Sequence, residues 1–221
     1  VASELAKNYE TIKFALAPSV SDIRPFLWHN YATTGPRYST DILYTSCVRI
    51  ADFTTTDKLE DISIYRNSSS ARRQQIRYSK RVGVYTEELN DVNLFIDFYR
   101  FTMDRQNIHV SPTAYDDLAA FVDALVRDGV ARIYLASTED RRPGSIAVFA
   151  NSAKKAYYLF GASDPELRKT PTGTAVLWDS FKSLCKQKID EVDLEGVNSP
   201  RRGWFKLSFG GTLIPYYQIC L

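Results

Sequence analysis

Between Ala131 and Ala162 the chain carries three β-rich apolar segments in immediate succession: ARIYLAST, IAVFANS and KAYYLFGA. The stretches between them, EDRRPGS and Ala153-Lys154, are short. Such spacing predicts an antiparallel three-strand meander, because parallel neighbours need a much longer crossover. A meander this apolar needs cover on both faces, and the flanking sequence supplies it. Residues 91–106 place Val92, Phe95, Tyr99 and Met103 at helical spacing. Pro112 opens a second helix bearing Tyr115, Leu118, Val122 and Leu125, closed by Gly129. After a polar loop at 163–174, AVLWDSFKSLCKQK (175–188) sets Leu177, Phe181 and Leu184 on one side of a third helix. EVDLEG (191–196) reads as a strand, SPRRGWFKLSFGG (199–211) as a turn with a short helix, and LIPYYQICL (213–221) as the last strand. With GVYTEE (83–88) as a first strand, the order from Val82 is β–α–α–β–β–β–α–β–α–β. That order predicts an α+β fold, a mixed sheet with helices on both faces.

Ahead of Val82, VASELAKNY reads as the tail of an apolar-faced helix and IKFALA (12–17) as a strand. RPFLWHNY (24–31) reads as a short aromatic helix, RYSTDILYTSCVRI (37–50) as a long strand, and NSSSARRQQIRYSKR (67–81) as a basic helix capped from its serines. Helix tail, strand, aromatic helix and strand is also the order of the last four elements, and 24–31 and 202–209 both open on Arg and then pack aromatics. A duplicated unit whose first copy is truncated accounts for both likenesses; two unrelated aromatic helices are the alternative. Residues ahead of Val1 are expected on this reading.

A net charge of +2 over 221 residues lacks the basic excess of a chain that binds nucleic acid by phosphate neutralisation, although a local basic patch stays open. No apolar run approaches the ~20 residues of a membrane span. Cys47, Cys185 and Cys220 are odd in number and scattered, as expected of reduced thiols in a cytoplasmic protein. His29 and His109 have no partners at ligand spacing, and no metal site is expected.

Four segments carry a family resemblance: RRQQIRYSKRVGV (72–84), TPTGTAVLWDSF (170–181), VDLEGV (192–197) and FKLSFGG (205–211). In their order and spacing the chain resembles the GNAT acyltransferase fold and, within it, the Fem-type branch of peptidoglycan aminoacyltransferases and their acyl-CoA-using relatives. The resemblance implies a GNAT-like acyltransferase domain at 82–221, a basic linking helix at 67–81, and at 1–66 the C-terminal part of a truncated first GNAT-like unit. It implies acyl-CoA or aminoacyl-tRNA as donor, tRNA as a partner in the second case, and an amine-bearing acceptor, either a small molecule or a peptidoglycan precursor. No cysteine or serine stands out as a nucleophile, which fits direct attack by the amine. The donor loop departs from the familiar glycine-rich form: Arg168, Gly173 and Ala175 are kept, with Pro171 and Thr172 between, a departure that favours the alternative of a GNAT-like binding module that has lost turnover and recognises a peptide or nucleotide-linked ligand.

Lys206, between Phe205 and Phe209, can hold a cation where negative charge develops on a transferred carbonyl, and the matching lysine of the resembling family serves catalysis or substrate binding. Its alternative is a stem covering aromatics with the head in water. Thr172, Gly173, Thr174 and Ala175 open a helix whose amides can hold a donor phosphate, with Arg168 adding charge; the alternative is an ordinary capped helix. Asp193 and Glu195 share one face of the expected strand and are candidate proton acceptors, or partners of nearby cations. Tyr158 can place a hydroxyl in the cleft or pack in the core. Arg72 and Arg77, with Arg73, Lys80 and Arg81, can bind an anionic substrate or line a solvated helix, and Arg202, beside a helix start, can pair with a substrate anion. The whole reading requires the sheet to part near residues 160 and 194, with the Lys206 ammonium beside the gap.

Overall fold

The computed structural model describes residues 1–221 apart from the side chains of Arg201 and Arg202. The first part of the chain forms α1 (Ala2–Asn8), β1 (Lys13–Ala15), α2 (Arg24–Leu27), β2 (Ser39–Arg49), α3 (Ser63–Asn67) and α4 (Ser70–Arg81). There follow β3 (Tyr85–Leu89), α5 (Val92–Arg105), α6 (Pro112–Arg127), β4 (Ala131–Ser137), β5 (Pro143–Ser152) and β6 (Lys155–Ser163). The chain continues through α7 (Thr172–Lys186), β7 (Glu191–Asp193), α8 (Pro200–Leu207) and β8 (Thr212–Cys220).

Among the described residues eight strands make one mixed sheet in the order β1-β8-β2-β7-β6-β5-β4-β3. The β4–β5–β6 meander is antiparallel, and β6 meets β7 in parallel across α7. Alternation along the central strands divides two cores. Ile133, Leu135, Ile146 and Val148 face α5 and α6, with Phe95 and Val122. Tyr134, Ala136, Ala147 and Phe149 face α7, α3 and α4, with Trp178, Phe181 and Ile76. Both faces are covered, so the central strands read as continuous apolar runs rather than alternating ones. Each fully buried Phe, Leu or Ile contributes about 1.5–3 kcal/mol to this packing. A third, smaller core joins Ala2, Ile12, Phe26, Tyr38 and Ile219.

The local signals act as their chemistry requires. Asp91 and Ser111 cap α5 and α6 by accepting from the amides of Leu94 and Ala114, and Ser69 caps α4 by accepting from Arg72 N. Two boundaries differ from the sequence expectation. α7 starts at Thr172, not Ala175, because Pro171 sits at the helix entrance and its carbonyl accepts from both Thr174 and Ala175. β7 ends at Asp193, not Gly196, because the chain then follows β2: Leu194 N donates to Ser46 O and Val197 N to Tyr44 O.

The position of β2 is the topological feature that shapes the site. It lies between β7 and β8, antiparallel to both, pairing Cys47 with Asp193 and Ser39 with Cys220.

Candidate active site

β6 and β7 pair only through Lys155–Glu191, Ala156–Val192 and Tyr157–Asp193. Beyond Tyr157, β6 runs on to Ser163 with no strand on that edge, while the chain after Asp193 is held against β2. Asn198 completes the hold, accepting from Tyr44 N at 2.7 Å and donating to Tyr44 O at 3.1 Å. Competition by β2 for the backbone of residues 194–198 thus parts the sheet and leaves a notch between β6 and the 194–199 loop.

Lys206 projects from α8 into this notch. Its Nζ donates to Gly196 O at 3.3 Å and lies 5.4 Å from the centre of the Tyr158 ring. The ring face attracts a cation, and the carbonyl accepts its N–H. Behind it, Phe209 is fully buried against Phe181 and Phe205. Trp204, by contrast, is 75% exposed, because the short helix turns that position outward.

Tyr158 lies at an irregularity in the meander. Phe149 pairs with Tyr158 and Val148 with Phe160, so Leu159 is the extra residue of a bulge. The phenol folds back along its own strand: a Cβ on Gly161 would lie 1.6 Å from the Tyr158 hydroxyl. Burial pushes the Tyr158 phenol well above its ordinary pKa, so it stays protonated. Gly161→Ala is expected to swing Tyr158 out of place and lower activity about tenfold or more while the melting temperature changes little. Paired kinetics and thermal unfolding check this; an unchanged rate removes Tyr158 from the site.

Asp193 and Glu195 do not share a strand face. Glu195 adopts a left-handed conformation with φ 58 after the strand has ended. Asp193 is buried, accepts from the Thr45 hydroxyl and from Glu195 N, and pairs with Lys155 Nζ at 3.2 Å. Its carboxylate therefore fixes the bend after β7 and is closed to substrate. Lys155 also pairs with Glu191 and donates to Cys47 Sγ; burial opposes its charge, but these partners outweigh burial and raise its pKa. Burial, then Asp193, pushes the Cys47 thiol up to about 12, so it is no nucleophile at neutral pH. Glu195 is half-buried at the notch, and its carboxyl is raised by burial and by Asp193, with Lys206 pulling the other way.

The start of α7 lies at the other end of the open β6 edge. The side chains of Thr172, Thr174 and Ala175 are buried rather than presented to a ligand. Thr172 Oγ1 lies 2.9 Å from Ser145 Oγ, which lies 2.8 Å from Ser163 Oγ. Thr174 Oγ1 donates to Gln75 Oε1 at 2.7 Å. What this turn can offer a donor is backbone: the amides of Thr172 and Gly173 precede the first bonded amide of the helix, Thr174 N. A side chain at Gly173 would meet nothing nearer than 3.7 Å, so the turn is open there. These groups fit a phosphate or another anion. Arg168 is exposed in the preceding loop.

Arg72 is only 7% exposed, and its guanidinium is turned into the protein. Its guanidinium donates to Ser208 Oγ, Gln75 Oε1 and Thr174 Oγ1 and lies 4.4 Å and 4.6 Å from the ring centres of Phe205 and Phe209. It ties α4 to α7 and α8, and burial lowers its pKa to about 10. Arg77 is exposed on α4 and donates to the Tyr65 hydroxyl. The Arg202 side chain lies outside what the structure describes. The notch therefore gathers Lys206, Glu195 and Tyr158, with the α7 entrance on the same strand edge, and leaves Asp193 and Arg72 as supports. Sequence reasoning missed the Ser145–Ser163–Thr172 hydroxyl set, Lys155 and Asn198. Among the described residues no group of three or more His, Cys, Asp or Glu side chains is placed to hold a metal ion. No described helix is long and apolar enough to cross a membrane.

A search of curated proteins by sequence found no match. Among solved structures, FemX superposes with a TM-score of 0.64 at 14% identity over 79% of this chain, which spans 61% of that one. A conserved protein of unknown function from Bacteroides thetaiotaomicron VPI-5482 superposes with a TM-score of 0.67 at 12% identity, covering 99% of this chain and 72% of that one. L-PGS from Bacillus licheniformis gives 0.54 at 11% identity, covering 87% and 63%. At these identities the likeness is one of fold. The family model of the acetyltransferase (GNAT) domain matches residues 66–201, well over half of the sequence and the part that builds the meander, the parted strands and α7. The chain therefore belongs to the GNAT acetyltransferase-domain family.

Proposed function

We propose that the chain transfers an acyl group from a thioester or aminoacyl ester to an amine, by direct attack in the notch between β6 and β7. The observation that carries this reading is the Lys206 ammonium at the point where the strands part, bonded to Gly196 O and facing Tyr158. The unpaired edge of β6 can hydrogen-bond an extended donor arm, as any open strand edge can. The α7 entrance amides hold its anionic part. The amine attacks the carbonyl carbon, Lys206 stabilises the resulting oxyanion, and the carbon–sulfur or carbon–oxygen bond to the donor breaks. Glu195 accepts the amine proton, directly or through water, and the protonated Tyr158 hydrogen-bonds the departing group. Acyl-CoA and aminoacyl-tRNA both present such carbonyls, and a small amine or a peptidoglycan precursor presents such an acceptor. A cytoplasmic setting suits both donors. Residues 1–66 belong, on this reading, to a first GNAT-like unit joined through 67–81 to an acyltransferase domain at 82–221.

The test is incubation with acetyl-CoA, longer acyl-CoAs and charged tRNA beside amine acceptors, with products identified by mass spectrometry. Thermal stabilisation without product would sink the enzymatic reading. It would favour a binding module instead, a reading that Pro171 supports by removing one amide from the α7 entrance.

The proton assignment predicts a pH profile. A base works deprotonated, so kcat/KM is expected to rise with pH through the Glu195 pKa, on a limb displaced above the ordinary 4.5. Glu195→Gln should abolish that limb and lower the rate about 10²–10⁴-fold. The same raised pKa contributes to stability below the unfolded value and is lost as pH rises through the folded one. Activity and this stability contribution thus move oppositely with pH. A limb that persists in the Gln variant excludes Glu195 as the base.

A further inference from the structure

Lys155 stands on β6 two residues before the pairing with β7 ends at Tyr157–Asp193, on the sheet face that also carries Glu191 and Asp193. An ammonium has three N–H donors, and Lys155 has three acceptors in reach: Glu191 Oε1 at 3.0 Å, Asp193 Oδ2 at 3.2 Å and Cys47 Sγ at 3.3 Å. The Asp193 side chain is 5% exposed, and among the described residues Lys155 is the one cation paired with it. A carboxylate buried to that extent keeps its charge only with such a partner. Its other oxygen, Oδ1, accepts from the Thr45 hydroxyl and, at 2.9 Å, from Glu195 N. Contacts thus run from Lys155 through Asp193 to the backbone beyond β7. That backbone is constrained. Glu195 has φ 58, a region costly for a residue with a β-carbon. Gly196 then turns its carbonyl to Lys206 Nζ at 3.3 Å. Leu194 and Val197 are anchored on β2, and between these anchors the Asp193 carboxylate holds the turn at Glu195 N.

We propose that Lys155 is a positioning residue of the notch: by neutralising Asp193 it keeps that carboxylate on Glu195 N, and so sets the Glu195 carboxyl and the Gly196 carbonyl against Lys206. Stapling β6 to β7 would need only the partly exposed Glu191. The link to Asp193 instead reaches the last paired rung and, through it, the segment that leaves β6. The same pair acts on charge. Burial, then Asp193, opposes the charge on Glu195, and Lys206 and Lys155 favour it. Loss of Lys155 therefore disturbs Glu195 both in place and in charge. That the groups so placed act on an acyl carbonyl and an amine rests on the proposed function; the placement itself does not.

The experiment follows the Glu195 amide of the full chain by NMR-detected hydrogen exchange, beside acyl-transfer kinetics, in Lys155→Met, Asp193→Asn and the double variant. Lys155→Met strands a buried carboxylate. The Glu195 amide is then expected to exchange about tenfold faster or more. Turnover should fall about tenfold or more with KM little changed, because a misplaced catalytic group costs kcat rather than binding. A carboxamide needs no cation, and its oxygen can still accept from Glu195 N. The double variant should therefore recover slow exchange and most of kcat, and should fold even where Lys155→Met alone does not. Asp193→Asn alone, which leaves Lys155 its pair with Glu191, should behave like the double variant. Wild-type exchange at Glu195 in Lys155→Met, unchanged kcat in that variant of an active chain, or a double variant that exchanges fast or fails to fold would overturn the proposal. Exchange needs no turnover, so the two readings separate. Slow exchange that depends on the pair, in a chain that forms no product, keeps the positioning and removes the acyl-transfer reading alone. Exchange indifferent to the pair, in a chain that forms product, removes the positioning alone.

Discussion

Lys206→Met is expected to lower turnover about 10²–10³-fold, the scale of losing one preorganised charge at a developing oxyanion. The methionine keeps the unbranched stem, while the charge, its contact with the Tyr158 ring and the bond to Gly196 O are lost. Lys206→Arg keeps the charge but spreads it over a planar fork that does not match a single carbonyl acceptor. Its rate should fall between wild type and Met. Lys206 is half-buried at the end of a helix rather than within a core cluster, so the melting temperature should change little in both variants. A Met variant that is stably folded and turns over at the wild-type rate ends the catalytic assignment. The substrate-binding alternative is separated by kinetics: a raised KM with unchanged kcat indicates binding that is uniform between ground and transition states.

Gly210→Ala is expected to produce the largest loss of stability, about 2–5 kcal/mol, measured by denaturant or thermal unfolding. Gly210 has φ +70, where a β-carbon is strained, and an added Cβ would lie 2.2 Å from Asn67 O. That oxygen is backbone at the end of α3 and cannot rotate away. The neighbouring contacts give no slack, since Ser68 Oγ donates to Phe209 O and Ser69 N donates to Ser208 O. The strain and overpacking terms add to that total. Activity should fall as well, because the same turn sets α8 and hence Lys206. A variant as stable as wild type would show that the junction between α3 and α8 yields more readily than its geometry implies.

What the sequence makes legible is local. The meander, the two capped helices and the crossover helix stand out because periodicity and caps act over a few residues. The residue pattern around Lys206 is legible for the same reason: a lysine between Phe205 and Phe209 is conspicuous before its surroundings are known. Non-local choices are not legible. Nothing within 37–50 states that β2 will lie between β7 and β8, and that placement ends β7 at Asp193 and moves Glu195 off the strand. Arg72 belongs to a helix that reads as basic on most faces, and only the later arrival of Phe205 and Phe209 shows that one of its arginines is interior. The threonines at the α7 entrance point inward because Ser145 and Ser163 on neighbouring strands offer partners. Gly144-Ser145, a small pair heading a buried strand, is the sequence signal for that approach.

The insertion of β2 also has a consequence during synthesis. Ser39 pairs with Cys220, 181 positions later. On the ribosome, one long edge of β2 has no native partner until β8 has emerged. Loop closure over that span makes the final zippering slow. In the interval Ile42 and Tyr44 sit on an open strand edge, the kind of surface that recruits a second copy. Yield on expression should therefore depend on how quickly β8 arrives, more than on the strength of the core between the meander, α5 and α6 that forms before it.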